Sequence, residues 1–173
     1  MRYDEFDYTD FLRAKSQADG EHGFAPVWMP DFLFDFQASM VDWGLRKGRA
    51  ALFEDCGLGK TPQELVWAEN VVRHTNGRVL LVTALAVTIQ MQREAEKFGI
   101  KVTISKDGTA HPGITCTNYE RLHLFSADDF VGMVGDESSI IKNFAGTRRG
   151  EVTDFMRKMK YRLLATATAA PND

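Results

Sequence analysis

The chain has 173 residues, 44% hydrophobic and 26% charged, with a formal net charge of −3: enough for one full core, too few for two comfortable domains. That charge excludes a wholesale basic coat of the kind that grips nucleic acid by charge alone, while leaving room for a local basic face. Cys56 and Cys116 stand far apart, and His22, His74, His111 and His123 show no metal-ligand spacing, which argues against a disulfide framework or a zinc cluster and fits a reducing cytoplasm.

The N-terminus, MRYDEFDYTDFL, is acidic and aromatic rather than basic and then apolar, so it is not read as a signal peptide. No apolar run reaches bilayer length, and no membrane is expected as a partner. In DFLFDFQASMVDWGL, Leu33, Phe36, Met40 and Trp43 recur at helical spacing and predict a helix over 31–45. AALFED follows as a short buried strand. KTPQELVWAENVVRH is a helix with Leu65, Ala68 and Val72 on one face and Pro62 in its first turn, where a missing N–H costs little.

RVLLVTA is a second buried strand, and LAVTIQMQREAEKF a helix ending near Gly99. KVTIS and GITCTN are strands around a polar connection, YERLHLF a short helical turn, and FVGMVGDESS a strand with carboxylates at its C-terminal end. RGEVTDFMRKMK is amphipathic through Val152, Phe155, Met156 and Met159, and YRLLATATAAPND closes the chain as a strand running into a turn. Strands joined by helices predict an α/β fold: a mostly parallel sheet with helices on both faces. Ligands of such sheets bind at the carboxyl ends of the strands. The polar clusters fall there, at 54–61, 83–88, 117–121, 136–139 and 166–172.

The first cluster contains GLGKT, which matches the end of a phosphate-binding loop, with Glu54 standing where the usual pattern has its first glycine. Gly57 and Gly59 permit the tight turn around Leu58, and the following helix adds the positive end of its dipole. Lys60 would then reach the β- and γ-phosphates and the Thr61 hydroxyl would coordinate Mg²⁺. On the loop alone, an ordinary strand-to-helix turn remains open. Asp136 and Glu137, at the end of an apolar strand downstream, tip the reading toward nucleotide. An aspartate beside the loop shares the magnesium with Thr61, and a glutamate directly after it orients or deprotonates an attacking water.

Taken together, FQ at 36–37, DCGLGKT at 55–61, LLVTALAVTIQMQREAEKFG at 80–99, TNYERL at 117–122, DESSIIKN at 136–143 and LLATATAAPND at 163–173 resemble, in order, motifs Q, I, Ia, Ib, II and III of superfamily-two helicases. The flavour is that of the swi/snf-like and phage-type DEAD/DEAH relatives. Swi/snf-like members commonly carry an acidic residue at the position of Glu54, so the resemblance accounts for the missing glycine. It implies a RecA-like P-loop domain over 31–173, preceded by an N-terminal extension at 1–30, in a bacterial or phage-infected cell. It implies ATP and Mg²⁺ as cofactors, with Gln37 on the adenine edge and Lys60, Asp136 and Glu137 as the catalytic set. Thr166, Ala167 and Thr168 would couple nucleotide state to a nucleic-acid track. Thr83, Ala84, the 85–90 stretch and Thr117, Asn118 and Arg121 would touch a nucleic-acid backbone, DNA in preference to RNA.

Departures are DESS in place of DEAD or DEAH, and Ala169 where a proline is expected. Arg46, Lys47, Arg49, Arg157, Lys158 and Lys160 read as solvated charge, and Phe32, Phe34, Phe36, Trp43 and Trp67 as core. The motifs stop at III, whereas in the resembling enzymes a second lobe, in cis or in trans, supplies arginines that complete the ATPase. The chain alone is therefore expected to bind ATP–Mg²⁺ weakly and hydrolyse it barely. A stand-alone nucleotide- or nucleic-acid-binding module without motor activity is the other reading. An unrelated P-loop ATPase would leave Gln37 and the TAT motif without a role.

Overall fold

A computed structural model describes residues 22–54, 57–138 and 146–167. Helix α1 (Asp35–Lys47) leads into strand β1 (Arg49–Phe53), and α2 (Lys60–Thr75) into β2 (Val79–Thr83). A 3-10 turn at Leu85–Val87 precedes α3 (Thr88–Lys97), which is followed by β3 (Val102–Ile104) and β4 (Ile114–Asn118). Two 3-10 segments, Tyr119–Leu124 and Ala127–Asp129, lead to β5 (Gly132–Gly135); α4 (Gly146–Arg157) and β6 (Tyr161–Thr166) follow. The strands form one sheet in the order β1-β6-β5-β2-β4-β3, and every neighbouring pair is parallel. The expected α/β architecture is therefore present.

The two-residue period of the strands sorts their side chains into two cores. Val79 and Leu81 of β2 join α1, α2 and α3 on one face of the sheet. Leu80 and Val82 turn to the other, where Tyr119, Leu122, Phe125 and Phe130 pack with Val152 and Met159. Helix α4 starts and ends three residues before the predicted segment; Val152 within it and Met159 just beyond it are both buried.

Helix α1 departs from the sequence reading in its phase. Its buried residues are Gln37, Val41, Gly44 and Leu45, one position on from the apolar row of Phe36, Met40 and Trp43. Phe36 and Trp43 are 45% and 42% exposed, and Phe34, ahead of the helix, is 69% exposed. The physical reason is Gln37: a polar side chain occupies the inward face because a loop requires it there, which turns the neighbouring aromatics to solvent. Of the aromatics expected in the core, Trp67 alone among Phe32, Phe34, Phe36, Trp43 and Trp67 is fully enclosed.

Residues 22–30, placed ahead of the domain in the sequence reading, lie against α1 and α2. The Gly23 and Phe24 amides donate to the Arg46 and Leu45 carbonyls, each at 3.0 Å. Buried Asn70 clamps the next turn. Its Oδ1 accepts from the Val27 and Trp28 amides at 2.9 Å each, and its Nδ2 donates to the Trp28 and Val66 carbonyls at 2.8 Å each. Asn70→Leu strips two part-buried amides of their acceptor and is expected to cost about 3 kcal/mol of stability, read as a lowered urea midpoint with unchanged slope.

Candidate functional site: the carboxyl rim of the sheet

The loop after β1 is built from inside the fold. Gly57 and Gly59 both have left-handed φ, 88° and 74°, which glycine adopts without steric cost. A side chain on Gly59 would also run into the Gln37 amide. That amide braces the loop: Nε2 donates to the Leu58 carbonyl at 2.9 Å, and Oε1 accepts from the Phe34 amide at 3.0 Å. Gln37 is 4% exposed, so the structure places it beneath the loop.

Glu54 is likewise drawn inward. Its Oε2 accepts from Gln63 Nε2 at 2.8 Å, and its carbonyl accepts from Lys60 Nζ at 3.0 Å. The acid in the first glycine's place thus ties the loop entrance to the second turn of α2. Lys60 and half-buried Thr61 open α2, where unsatisfied backbone N–H groups and the helix dipole favour an anion.

Across the rim stands the acidic pair. In the sheet, β6 lies between β1 and β5, with Thr166 opposite Phe53 and Leu164 opposite Gly135. The Asp136 amide donates to the Val82 carbonyl at 2.9 Å, and its own carbonyl accepts from the Tyr119 hydroxyl at 2.9 Å. Glu137 adopts φ 48°, one of two non-glycine residues with positive φ among those described; such a backbone costs on the order of 1 kcal/mol and recurs at functional turns. Thr166 Oγ1 donates to Glu137 Oε1 at 2.9 Å, joining the strand end of the last motif to the acidic pair. Ala167 is half-exposed beside it, and Thr168, like residues 55 and 56, lies outside the described residues.

One residue of this site escaped the sequence reading. Glu64 follows Lys60 by one helical turn on the same face of α2 and is fully buried. Neither carboxyl oxygen meets an N–H or O–H donor among the described residues; the Asp136 carboxyl is the group with which it can share a proton. Burial foremost, then the Asp136 charge, lifts the Glu64 carboxyl well above the ordinary carboxylate range, with Lys60 opposing. Burial and the Glu137 charge raise Asp136 too, again against Glu64 and Lys60. Lys60 and the two acids therefore feel one another. The signal was readable: an acid at the inward face of an apolar helix, four residues after the loop lysine.

A divalent cation suits this crowd. Among the described residues no three Asp, Glu, His or Cys side chains are arranged to hold a metal ion by themselves. A cation here would complete its shell from Thr61, Asp136, water and phosphate oxygens, which is the habit of magnesium. Cys116 is no competing nucleophile, since burial pushes its thiol up to about 12.

The residues assigned to nucleic acid lie farther along the rim. Thr83 shares a 3.2 Å bond with Thr88 and donates to the Ala84 carbonyl at 2.9 Å. Thr117 donates to the Ser105 carbonyl at 3.0 Å, and Asn118 caps the next turn by accepting from the Arg121 amide at 3.1 Å. These three side chains shape the rim from within. Ala84 and Arg121 are half-exposed. Arg121 lines a groove of 710 Å³ with Thr117, Asn118, Lys106, Asp107 and His111. No helix among the described residues is long and apolar enough to cross a membrane.

No protein-family model matches the chain, and no curated protein matches its sequence. Solved structures do match. The UvsW helicase from bacteriophage T4 superposes on 95% of this chain with a TM-score of 0.66 at 15% identity. A second T4 UvsW structure covers 95% at 0.66 and 14%. The Sulfolobus solfataricus SWI2/SNF2 ATPase core, solved in complex with dsDNA, covers 84% at 0.67 and 20%. The chain spans 61%, 35% and 34% of those three chains, respectively. At such identities the likeness speaks for architecture, and it agrees with the six parallel strands and the helices on their two faces: this chain has a RecA-like α/β fold, shared with those solved structures.

Proposed function

We propose that the chain is the ATP–Mg²⁺-binding lobe of a DNA-dependent helicase or translocase acting in the cytoplasm, and that a second lobe completes the enzyme. The observation that supports this reading is that Lys60, after β1, and Asp136, after β5, lie at the same carboxyl rim of one parallel sheet with β6 between the two strands, near enough for the Lys60 charge to bear on Asp136. Lys60 and the N-terminus of α2 would hold the β- and γ-phosphates, and Thr61 and Asp136 would hold magnesium, which supplies electrophilic stabilisation of the transferring phosphoryl group. Glu137, oriented by Thr166, would accept a proton from water. Because the Thr166 hydroxyl must turn to follow that carboxylate, the bond is suited to passing nucleotide state toward residues 167 and 168. Gln37 holds the loop and would meet an adenine edge through Oε1, which already accepts from the Phe34 amide. The groove beside Arg121 supports duplex DNA as the track, since positive and polar groups there can meet phosphates without reading sequence.

The test is calorimetry with a non-hydrolysable ATP analogue and Mg²⁺. Lys60→Ala removes a charged donor to phosphate and is expected to weaken binding about 10- to 100-fold. Equal affinity in Lys60→Ala and wild type would remove the loop from the nucleotide site.

A further inference from the structure

Glu64 has no place in the motif inventory, yet it is the most enclosed acid of the rim. It projects from α2 on the face that carries Lys60 one turn earlier. It is 0% exposed, and the neighbours acting on it are Asp136, Lys60 and Glu137. Both of its oxygens lack an N–H or O–H donor among the described residues. A buried carboxyl left in that state costs stability that an apolar side chain, continuous with Leu65 and Ala68, would not. Its hydrogen-bonding neighbour is the carboxyl of a proposed cation ligand, and the N–H or O–H donors its oxygens lack must arrive with something else.

Building on the magnesium site proposed above, we propose that Glu64 is an outer ligand of the divalent cation, standing behind Asp136 and accepting a hydrogen bond from a water of the cation's shell. Magnesium dehydrates reluctantly and keeps several waters, so its shell carries the O–H donors that Glu64 lacks. Lys60 cannot serve both ends of the site at once. It reaches the Glu54 carbonyl at 3.0 Å and is assigned to phosphate when nucleotide binds. Outer partners of this kind set cation affinity about 10- to 100-fold.

The experiment measures affinity for the imido analogue of ATP by calorimetry, in Mg²⁺ and in EDTA, and takes the ratio as the gain due to the cation. Glu64→Leu is expected to lower that gain tenfold or more, and Glu64→Gln to lower it less, because an amide oxygen still accepts from water. Melting in EDTA checks that both variants fold. A full gain in both variants overturns the role of Glu64. Should wild type itself show no nucleotide binding, or no gain, it is the site reading that fails; a gain lost in Asp136→Asn but kept in Glu64→Leu leaves that reading standing and sinks only this one.

Discussion

Purified by itself, the chain is expected to hydrolyse ATP about 10³- to 10⁵-fold more slowly than the same residues joined to a second lobe. The loss follows from charge. Among the described residues the cation bearing on Asp136 and Glu64 is Lys60, and a single lysine on the proposed β- and γ-phosphates would leave the negative charge that spreads over the equatorial oxygens in the transition state poorly matched. In phosphoryl transfer an arginine delivered to that position accounts for the span quoted, and the second lobe proposed above would deliver it. Steady-state phosphate release, with and without duplex DNA, reads the rate. Rapid DNA-stimulated turnover by the isolated chain would mean that its own residues complete the site.

Glu64 makes the second large effect, on stability against pH. Burial holds the Glu64 carboxyl well above the ordinary carboxylate range in the folded chain, so above that range the unfolded chain loses a proton that the folded chain still holds. Folding stability contributed by this group is therefore complete below the unfolded value and falls as pH rises through the folded one, by about 1.4 kcal/mol for each unit of lift. Asp136, raised as well, adds a slope of the same sign. In EDTA and without nucleotide, Glu64→Gln is expected to gain stability over wild type as pH rises from 5 to 8, read as a growing difference in urea midpoint. Parallel pH profiles for the two proteins would show that Glu64 carries no such burden.

The fold was largely legible because its signals are redundant. Strands such as Val79–Thr83 are buried on both faces and read as continuous apolar runs, and the strand–loop–helix around GLGKT announces itself through glycine spacing. The phase of α1 was hidden by Gln37, since hydrophobic spacing has no way to represent a polar side chain turned inward to brace the Leu58 carbonyl. The acidic pair and Lys60 could be assigned to the carboxyl ends of the strands of a parallel sheet from sequence. What they share is silent to motif matching: Glu64 shows only as an acid on the inward face of α2, and Thr83, Thr117 and Asn118 spend their side chains on internal bonds that composition does not reveal. Glu54 shows the converse. As a missing glycine it counts against the loop, while in the fold it fastens Gln63 to the loop's entrance.

The most direct measurement is anomalous diffraction from crystals of the chain grown with Mn²⁺ and the imido analogue of ATP. One manganese peak between the Thr61 hydroxyl and the Asp136 carboxylate, touching the phosphates that Lys60 holds, is the result expected here. A triphosphate bound away from Lys60, or manganese seated away from Asp136, would contradict it.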